Sequence, residues 1–259
     1  MSDSVIAAGA PVGVFRVGTV LSRAVKLLFG NLPVYLPLSF IPGLPALIFL
    51  STGTPMTPKS AGLFFLVYLA VILFAYPLIQ AVILHVAIQE MRGRRTSLGD
   101  SLTVGLSRFL PVLGTLLCAG TMVILGLMLL IVPGFILGMR FYVAIPACIA
   151  EHIGPSASLR RSAELTSGNR WRLFGLALLV FLIIVIAGAV IGAIIGAILG
   201  AILGAAGVLK WLLPAISIMR FILNGFAVAF GAIIAAVVYH DLRVAKEGID
   251  TDRIAAVFD

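Results

Sequence analysis

The chain of 259 residues is 61% hydrophobic and 11% charged, with a formal net charge of +8 and a mean hydropathy of +1.20. Charged residues make up about a quarter of a soluble domain, so this composition excludes one and indicates a protein embedded in a lipid bilayer. Segments that cross a bilayer are helices or strands of a closed barrel, and apolar runs far longer than a barrel strand of about ten residues favour helices. The positive charge does not indicate nucleic acid, because the basic residues flank the apolar runs, where they act as orientation signals.

Residues 13–29 are predicted to form a helix that lies along the membrane surface. Apolar residues share one of its faces, and Arg16, Arg23 and Lys26 lie on the other. Such a separation is typical of a helix with its apolar side among the acyl chains and its cations among the headgroups. A helix packed on neighbouring protein is the alternative.

The next two apolar runs are predicted to be the first and second membrane spans. Leu32–Leu50 contains four prolines, which remove amide donors and kink helices, so we expect this span to be bent or partly unwound. Ala61–Gln89 exceeds the roughly 20 residues that cross a bilayer, so we expect it to tilt or to project beyond the membrane. Tyr76 and Pro77 predict a kink within it.

A second surface helix is predicted at residues 90–109, where charged residues return. Ser97 and Asp100 resemble a capping box at its start, ahead of an apolar stripe. This pattern indicates a helix that again feeds a membrane span.

The third and fourth spans are predicted to form a tight hairpin. They are Leu110–Val132 and the short run Phe135–Ala150. Pro133 and Gly134 lie between the two runs and leave room only for a turn.

The stretch at 154–176 is predicted to contain the third surface helix. Leu159 and Thr166 are expected to face the membrane, and Arg160 and Arg161 to face away from it. A glycine then ends the helix.

The fifth and sixth spans are predicted at Leu173–Gly207 and Trp211–Tyr239. Each pair of spans follows one surface helix, so we expect an all-α membrane domain of six spans built from three similar units and a cytoplasmic tail. The units and tail are residues 13–89, 90–150, 151–239 and 240–259. Convergence on one pattern of membrane entry is the alternative to a true threefold repeat.

The distribution of basic residues predicts the orientation of the spans. Fourteen of the 18 Lys and Arg residues lie at the same ends of the spans and two at the opposite ends. Because Lys and Arg favour the cytoplasmic side, we expect both termini in the cytoplasm and the surface helices on the inner leaflet of a bacterial inner membrane. Anionic lipid there attracts each cation by about 1 kcal/mol. The cations expected to contribute are Arg16, Arg23, Lys26, Arg160, Arg161, Arg170 and Arg172.

The fifth span carries a glycine at every fourth position. Small residues at this spacing let another helix approach closely. We expect the strip to pack against the first span, the sixth span or a second copy of the chain, although glycine also permits bending. Its members are Gly188, Gly192, Gly196, Gly200 and Gly204.

Arg140 and Arg220 lie inside apolar runs, where a charge costs roughly 2.5–3.5 kcal/mol on insertion scales. The interiors of the predicted spans contain no acidic residue that could pair with them. Three interpretations are open. The arginines bind an anionic ligand, with Asn224 one turn from Arg220 as a further polar group; they pair with freed backbone carbonyls; or they extend to the outer interface.

The sequence contains no recognisable set of catalytic or metal-binding residues. His85, His152 and His240 are far apart and lack the spacing of metal ligands. Nucleophile, metalloprotease and nucleotide-binding motifs are absent from any usable context. We therefore expect no enzymatic activity, no metal and no cofactor.

Three stretches together resemble a bacterial family of multi-span membrane proteins. They are IVPGFILGMRFYVAIPACIAEHIGP, SLRRSAELTSGNRWRLFGL and VVYHDLRVAKEGID. The family is related to the membrane domain fused to some glycerophosphodiester phosphodiesterases. The resemblance implies a six-span inner-membrane module associated with lipid or envelope biology. It carries over no catalytic residue, because the phosphodiesterase chemistry belongs to a separate barrel domain that we do not expect in this chain.

Three hypotheses about function follow. The leading one is non-enzymatic binding, sensing or transport of an anionic lipid or other amphiphile, because basic surface helices and intramembrane arginines suit anionic headgroups. The alternative is a membrane scaffold or membrane-shaping protein that oligomerises or recruits a membrane-protein partner through its glycine strip. A third, an intramembrane enzyme, requires polar side chains that converge on one cavity around His85.

Overall fold

The computed structural model describes residues 17–51, 57–94 and 97–247, with side chains outside the description at 50–51, 98, 203–210 and 212–213. Every regular element in these ranges is helical, and six helical segments are long and apolar enough to cross a membrane. The prediction of an all-α, six-span membrane protein is confirmed. The spanning segments are Leu32–Phe49, Pro58–Met91, Phe109–Leu129, Ile131–Ala150, Arg170–Ile202 and Pro214–Glu247.

Helix α1 (Val17–Gly30), which corresponds to the first predicted surface helix, has one buried and one exposed face. Val20, Ala24 and Leu28 are buried in the protein core, whereas Phe29 is exposed. The burial matches the alternative interpretation of α1 as a helix packed on protein. Of its predicted basic residues, Arg23 and Lys26 are exposed and Arg16 lies outside the described residues.

The first span is interrupted, as its prolines predict. Helix α2 (Leu32–Phe40) and helix α3 (Leu44–Ser51) are separated by a 3₁₀ turn at Ile41–Gly43. Pro42 and Pro45 cannot donate a backbone hydrogen bond, and this loss of donors permits the tighter turn.

The second span is also irregular next to its proline. Helix α4 (Pro58–Ala70) and helix α5 (Tyr76–Met91) are joined by a π-helical turn at Val71–Ala75. Pro77 lies in the first turn of α5, where its missing N–H and its ring favour a break just before it. The predicted kink is therefore present as a widened helical turn.

The hairpin between the third and fourth spans turns earlier than predicted. Helix α6 (Leu98–Ser107), capped by Ser97 as expected, leads into α7 (Phe109–Leu129), and α8 begins at Ile131. The prediction that Pro133 and Gly134 form the turn is wrong. Proline is tolerated in the first turn of a helix, where its N–H has no partner to lose, so both residues lie inside α8 (Ile131–Arg140).

Gly134 is needed for another reason, because it permits close contact between α7 and α8. A methyl group on Gly134 would lie 2.4 Å from Cγ and 2.7 Å from the backbone nitrogen of Leu127. Backbone atoms cannot move aside without displacing the helix. The hairpin therefore depends on the absence of a side chain at this position.

We expect Gly134→Ala to lower the free energy of unfolding by about 1–3 kcal/mol, the usual cost of overpacking. Gly138→Ala is the matched control, because no described atom lies within 4 Å of a methyl group there and alanine favours a helix over glycine by up to about 1 kcal/mol. Thermal unfolding in detergent micelles measures both. A Gly134→Ala midpoint equal to that of Gly138→Ala would contradict this packing.

Helix α10 (Pro155–Thr166), which follows α9 (Ala144–Ala150), buries the face that was predicted to meet lipid. Leu159 is 7% exposed and Thr166 is fully buried, so the prediction that they face the membrane is wrong. They lie against protein together with Ser158 and Ser162. Gly168 adopts a positive φ of 83° after the helix end, as the sequence predicts.

The fifth and sixth spans belong to one long helical segment, α11 (Arg170–Glu247), that folds back on itself. A methyl group on Gly188 would lie 3.4 Å from Cδ1 of Leu223, and one on Gly192 3.7 Å from Cε of Met219. In a straight helix residues 188 and 223 would be about 50 Å apart. The two halves of α11 are therefore packed side by side.

The glycine strip is partly used in this contact. Gly188 and Gly192 lie against the sixth span, one of the predicted partners. No described atom lies within 4 Å of a methyl group on Gly196, and Gly200 is half-buried. Gly204 lies outside the described side-chain environments.

The protein core lies between α5 and the second half of α11. Residues such as Ile83, Leu84, Ile233 and Val237 are almost fully buried there, and α1 and α9 pack against them. By contrast, the outer surfaces of α4, α7 and the first half of α11 expose large apolar side chains. A soluble domain rarely exposes so large an apolar surface, and lipid is the solvent that suits it.

Charged residues join α10 to the end of α11. The Nε atom of Arg161 donates to Glu151 at 2.8 Å, and its guanidinium also pairs with Glu247. Tyr239 donates to Glu151 at 2.8 Å. Burial of the Arg161 guanidinium opposes its charge, but the two carboxylates more than offset this and raise its pKa.

We expect Glu151→Gln to destabilise the protein by about 1–3 kcal/mol, because it leaves Tyr239 without a charged acceptor and the half-buried Arg161 with Glu247 alone. Glu164→Gln is the control, since Glu164 lies 3.9 Å from Arg160 in an exposed pair that contributes about 1 kcal/mol or less. Thermal unfolding in detergent, compared at one pH, checks the difference. Equal midpoints for the two variants would show that the network does not stabilise α10.

Candidate functional site

A groove runs between α8 and the start of α11. Its α8 wall is an apolar stripe at helical spacing, and its α11 wall consists of the first residues after the turn at Gly168. The groove has a volume of about 380 Å³. Its lining residues are Val132, Phe135, Ile136, Met139, Arg170, Trp171 and Phe174.

Aromatic contacts shape the groove. The rings of Phe135 and Phe174 meet edge to face with centroids 5.9 Å apart, and Trp171 makes a similar contact with Phe174 at 6.2 Å. Trp171 is 85% exposed, as suits an indole at a membrane interface. These rings give the groove a firm apolar wall.

Basic residues gather at one end of the groove. Arg170 lines it, Arg140 follows the lining residue Met139 at the end of α8, and Arg172 follows Trp171 in α11. The Nε atom of Arg170 is buried and has no hydrogen-bond partner among the described atoms. Leaving a buried donor unsatisfied costs about 1–3 kcal/mol, so an acceptor at this position would be stabilising.

Helix α10 positions this basic end. The backbone carbonyl of Arg140 accepts hydrogen bonds from the hydroxyls of Ser162 at 2.8 Å and Thr166 at 3.3 Å. The carbonyl belongs to the last turn of α8 and lacks a partner within that helix. The guanidinium of Arg140 lies 5.8 Å from the ring centroid of Phe141, a cation–π contact that leaves it exposed.

The groove therefore has a polar end and an apolar end. Near the polar end the ammonium group of Lys246 contacts the Glu164 carbonyl and the Ser167 hydroxyl. The opposite end, at Val132, lies at the start of α8 beside the α7–α8 turn. None of the described residues that line the groove is acidic. This arrangement suits a molecule with an anionic head and an apolar tail.

The other predicted basic residues serve different contacts. Arg23 pairs with Asp241 at 2.8 Å, and Arg161 is engaged by Glu151 and Glu247. Lys26 lines a separate polar pocket with Glu90 and other residues. Arg160 is highly exposed.

The structure separates the two intramembrane arginines. Arg220 is exposed in the second half of α11, beside Phe221, which stacks on Phe40 with centroids 5.1 Å apart. Arg140 lies at the α8–α10 junction. Asn224 lines a different cavity, near the interrupted first span.

Sequence reasoning missed the groove itself. Val132, Phe135, Ile136 and Met139 do form an apolar stripe in the sequence, but the stripe does not identify what it faces. The contact with Phe174 depends on the fold of α10, which no local pattern reports. Of the described residues, no group of His, Cys, Asp and Glu is arranged to hold a metal ion.

Comparison with known proteins agrees with the membrane architecture. Residues 112–252 match the family model described as the membrane domain of glycerophosphoryl diester phosphodiesterase. The match covers more than half of the 259 residues and includes both walls of the groove. No curated protein and no solved structure matches the chain significantly. This multi-pass membrane protein therefore belongs to the family of the membrane domain of glycerophosphoryl diester phosphodiesterase.

Proposed function

We propose that this protein binds an anionic amphiphile, such as a phospholipid, in the groove between α8 and α11, and senses or moves it without catalysing a reaction. The observation that carries the proposal is that Arg170, whose Nε atom has no hydrogen-bond partner among the described atoms, lines an apolar groove. A phosphate oxygen would accept from its guanidinium. The acyl chain would lie along Phe135 and Ile136.

Electrostatics favours an anion over a neutral headgroup in the groove. Arg170 lines the groove, Arg140 follows the lining residue Met139 in the chain, and the N-terminus of α11 adds a partial positive charge there. Hydrogen bonds from arginine to phosphate are among the strongest that a protein makes. The headgroup therefore needs no counter-ion.

The proposal includes a location. We place the protein in a bacterial inner membrane with both termini in the cytoplasm, so the basic end of the groove lies at the inner leaflet. The excess of Lys and Arg at one set of span ends supports this orientation.

Scaffolding through the glycine strip is less well supported than lipid binding. Gly188 and Gly192 are already in contact with the sixth span of the same chain. A second copy or a partner protein would have only the remaining part of the strip to pack against. We therefore assign the strip a role in folding.

Native mass spectrometry of the full chain, released from nanodiscs with equal phosphatidylglycerol and phosphatidylethanolamine, tests the groove. We expect Arg140→Gln combined with Arg170→Gln to reduce the retained phosphatidylglycerol roughly thirtyfold relative to phosphatidylethanolamine, because each cation near the surface contributes about 1 kcal/mol. Arg160→Gln is the matched control, since Arg160 is exposed outside the groove. Equal retention in the double variant and the control would rule the groove out.

Topology is tested separately. Cysteines introduced at Ser2 and Asp259, in a chain whose Cys118 and Cys148 are replaced by serine, should resist a membrane-impermeant maleimide in intact spheroplasts. They should react after the membrane is permeabilised. A reaction of either cysteine in intact spheroplasts would contradict the proposal that both termini lie in the cytoplasm.

A further inference from the structure

A second space, here called the central cavity, lies among several spans and is partly open at the protein surface. It consists of two adjoining parts of about 510 and 370 Å³, which share Tyr76, Asn224 and Val228 as lining residues. Volumes in this range accommodate small organic ligands. The central cavity does not share a lining residue with the groove between α8 and α11.

Three interruptions of membrane helices converge on this cavity. The 3₁₀ turn at Ile41–Gly43 contributes Pro42 and Gly43, and the π turn at Val71–Ala75 contributes its first residues. The break between α8 and α9 contributes Tyr142. Such breaks interrupt the regular backbone hydrogen bonding of a helix, and within a membrane irregular backbone is tolerated only where protein shelters it or where it lines a cavity.

The convergence is informative because the breaks occur in three separate spans. A single kink is explained by its own proline. Three kinks around one space place irregular backbone there, as the interrupted helices of membrane transporters do around their substrates. The central cavity therefore has the backbone architecture of a binding site.

The polar side chains of its lining carry no charge. Among the described residues that line it, none is Asp, Glu, Lys, Arg or His. The polar lining consists of Tyr68, Tyr76, Gln80, Thr121, Tyr142 and Asn224. Hydroxyl and amide groups of this kind both donate and accept hydrogen bonds.

We infer that the central cavity binds an uncharged lipid that carries a free hydroxyl group, such as a diacylglycerol. A hydroxyl can pair with the amide of Asn224 or the hydroxyl of Thr121, and the surrounding Leu116, Leu117 and Ile124 provide the apolar surface for a chain. A phosphate in this space would leave water without meeting a cationic lining residue, which is strongly unfavourable. The inference does not depend on the proposed function of the groove.

Two glycines of the lining allow the cavity to be filled without disturbing the helices. No described atom lies within 4 Å of a methyl group on Gly120 or Gly231, and both residues line the cavity. A leucine at either position would extend into the open space. Gly138 is equally open but lies outside the cavity lining, so Gly138→Leu is a matched control.

The test uses a photoactivatable, alkyne-tagged diacylglycerol and the full chain in phosphatidylcholine nanodiscs. We expect saturable labelling of the cavity-lining segments, which unlabelled diacylglycerol displaces and phosphatidylglycerol does not. Gly120→Leu and Gly231→Leu should each lower the saturable labelling roughly tenfold, because the side chain replaces the ligand's contacts. Gly138→Leu and the Arg140→Gln, Arg170→Gln double variant should retain the labelling.

Labelling that persists in both leucine variants, or that phosphatidylglycerol displaces as well as diacylglycerol does, overturns the inference. Thermal unfolding of each variant shows whether it is folded. Asn224→Leu provides a second route, since it removes an amide from the lining without filling the space. This variant should weaken the displacement of the tagged probe by unlabelled diacylglycerol. Unchanged displacement would contradict the hydroxyl contact.

Discussion

A helix in lipid must satisfy its backbone hydrogen bonds within itself, and this constraint organises the whole molecule. The segments that expose apolar side chains, such as α7 and the first half of α11, are regular over long stretches. The irregular turns at Ile41–Gly43 and Val71–Ala75 both line the central cavity. Irregular backbone in a membrane is tolerated where it lines a cavity, and the position of both turns along the central cavity agrees with this rule.

The same solvent separates two kinds of polar site. Arginines lie at the end of the groove where α8 ends and α11 begins, close to the charged network around Glu247. The central cavity, by contrast, is lined by neutral hydroxyl and amide groups. Charge is retained where water or headgroups can reach it, because the cost of burying an ion far exceeds that of burying a hydroxyl. The two sites therefore suit different lipids.

Much of the architecture could be predicted from sequence, because span length, proline positions and caps act locally. The six spans, the bend beside Pro42 and the cap at Ser97 are all present. The surroundings of apolar faces were harder to predict. Leu159 is apolar and faces protein, yet the same pattern would suit a residue that faces lipid. In a membrane both environments are apolar, so periodicity identifies a face but not its partner. For that reason neither the groove nor the central cavity could be derived from sequence.

Helix α10 connects the groove to the rest of the fold. Its hydroxyls at Ser162 and Thr166 hold the end of α8, and its Arg161 holds the end of α11 through Glu247. The chain then reverses at Gly168 and begins the other wall of the groove. Because one short helix fixes both walls, a shift of α10 would change the spacing between Met139 and Arg170. The buried polar residues Ser162 and Thr166 of α10 are thus explained by position, because they hold the end of α8 beside the groove.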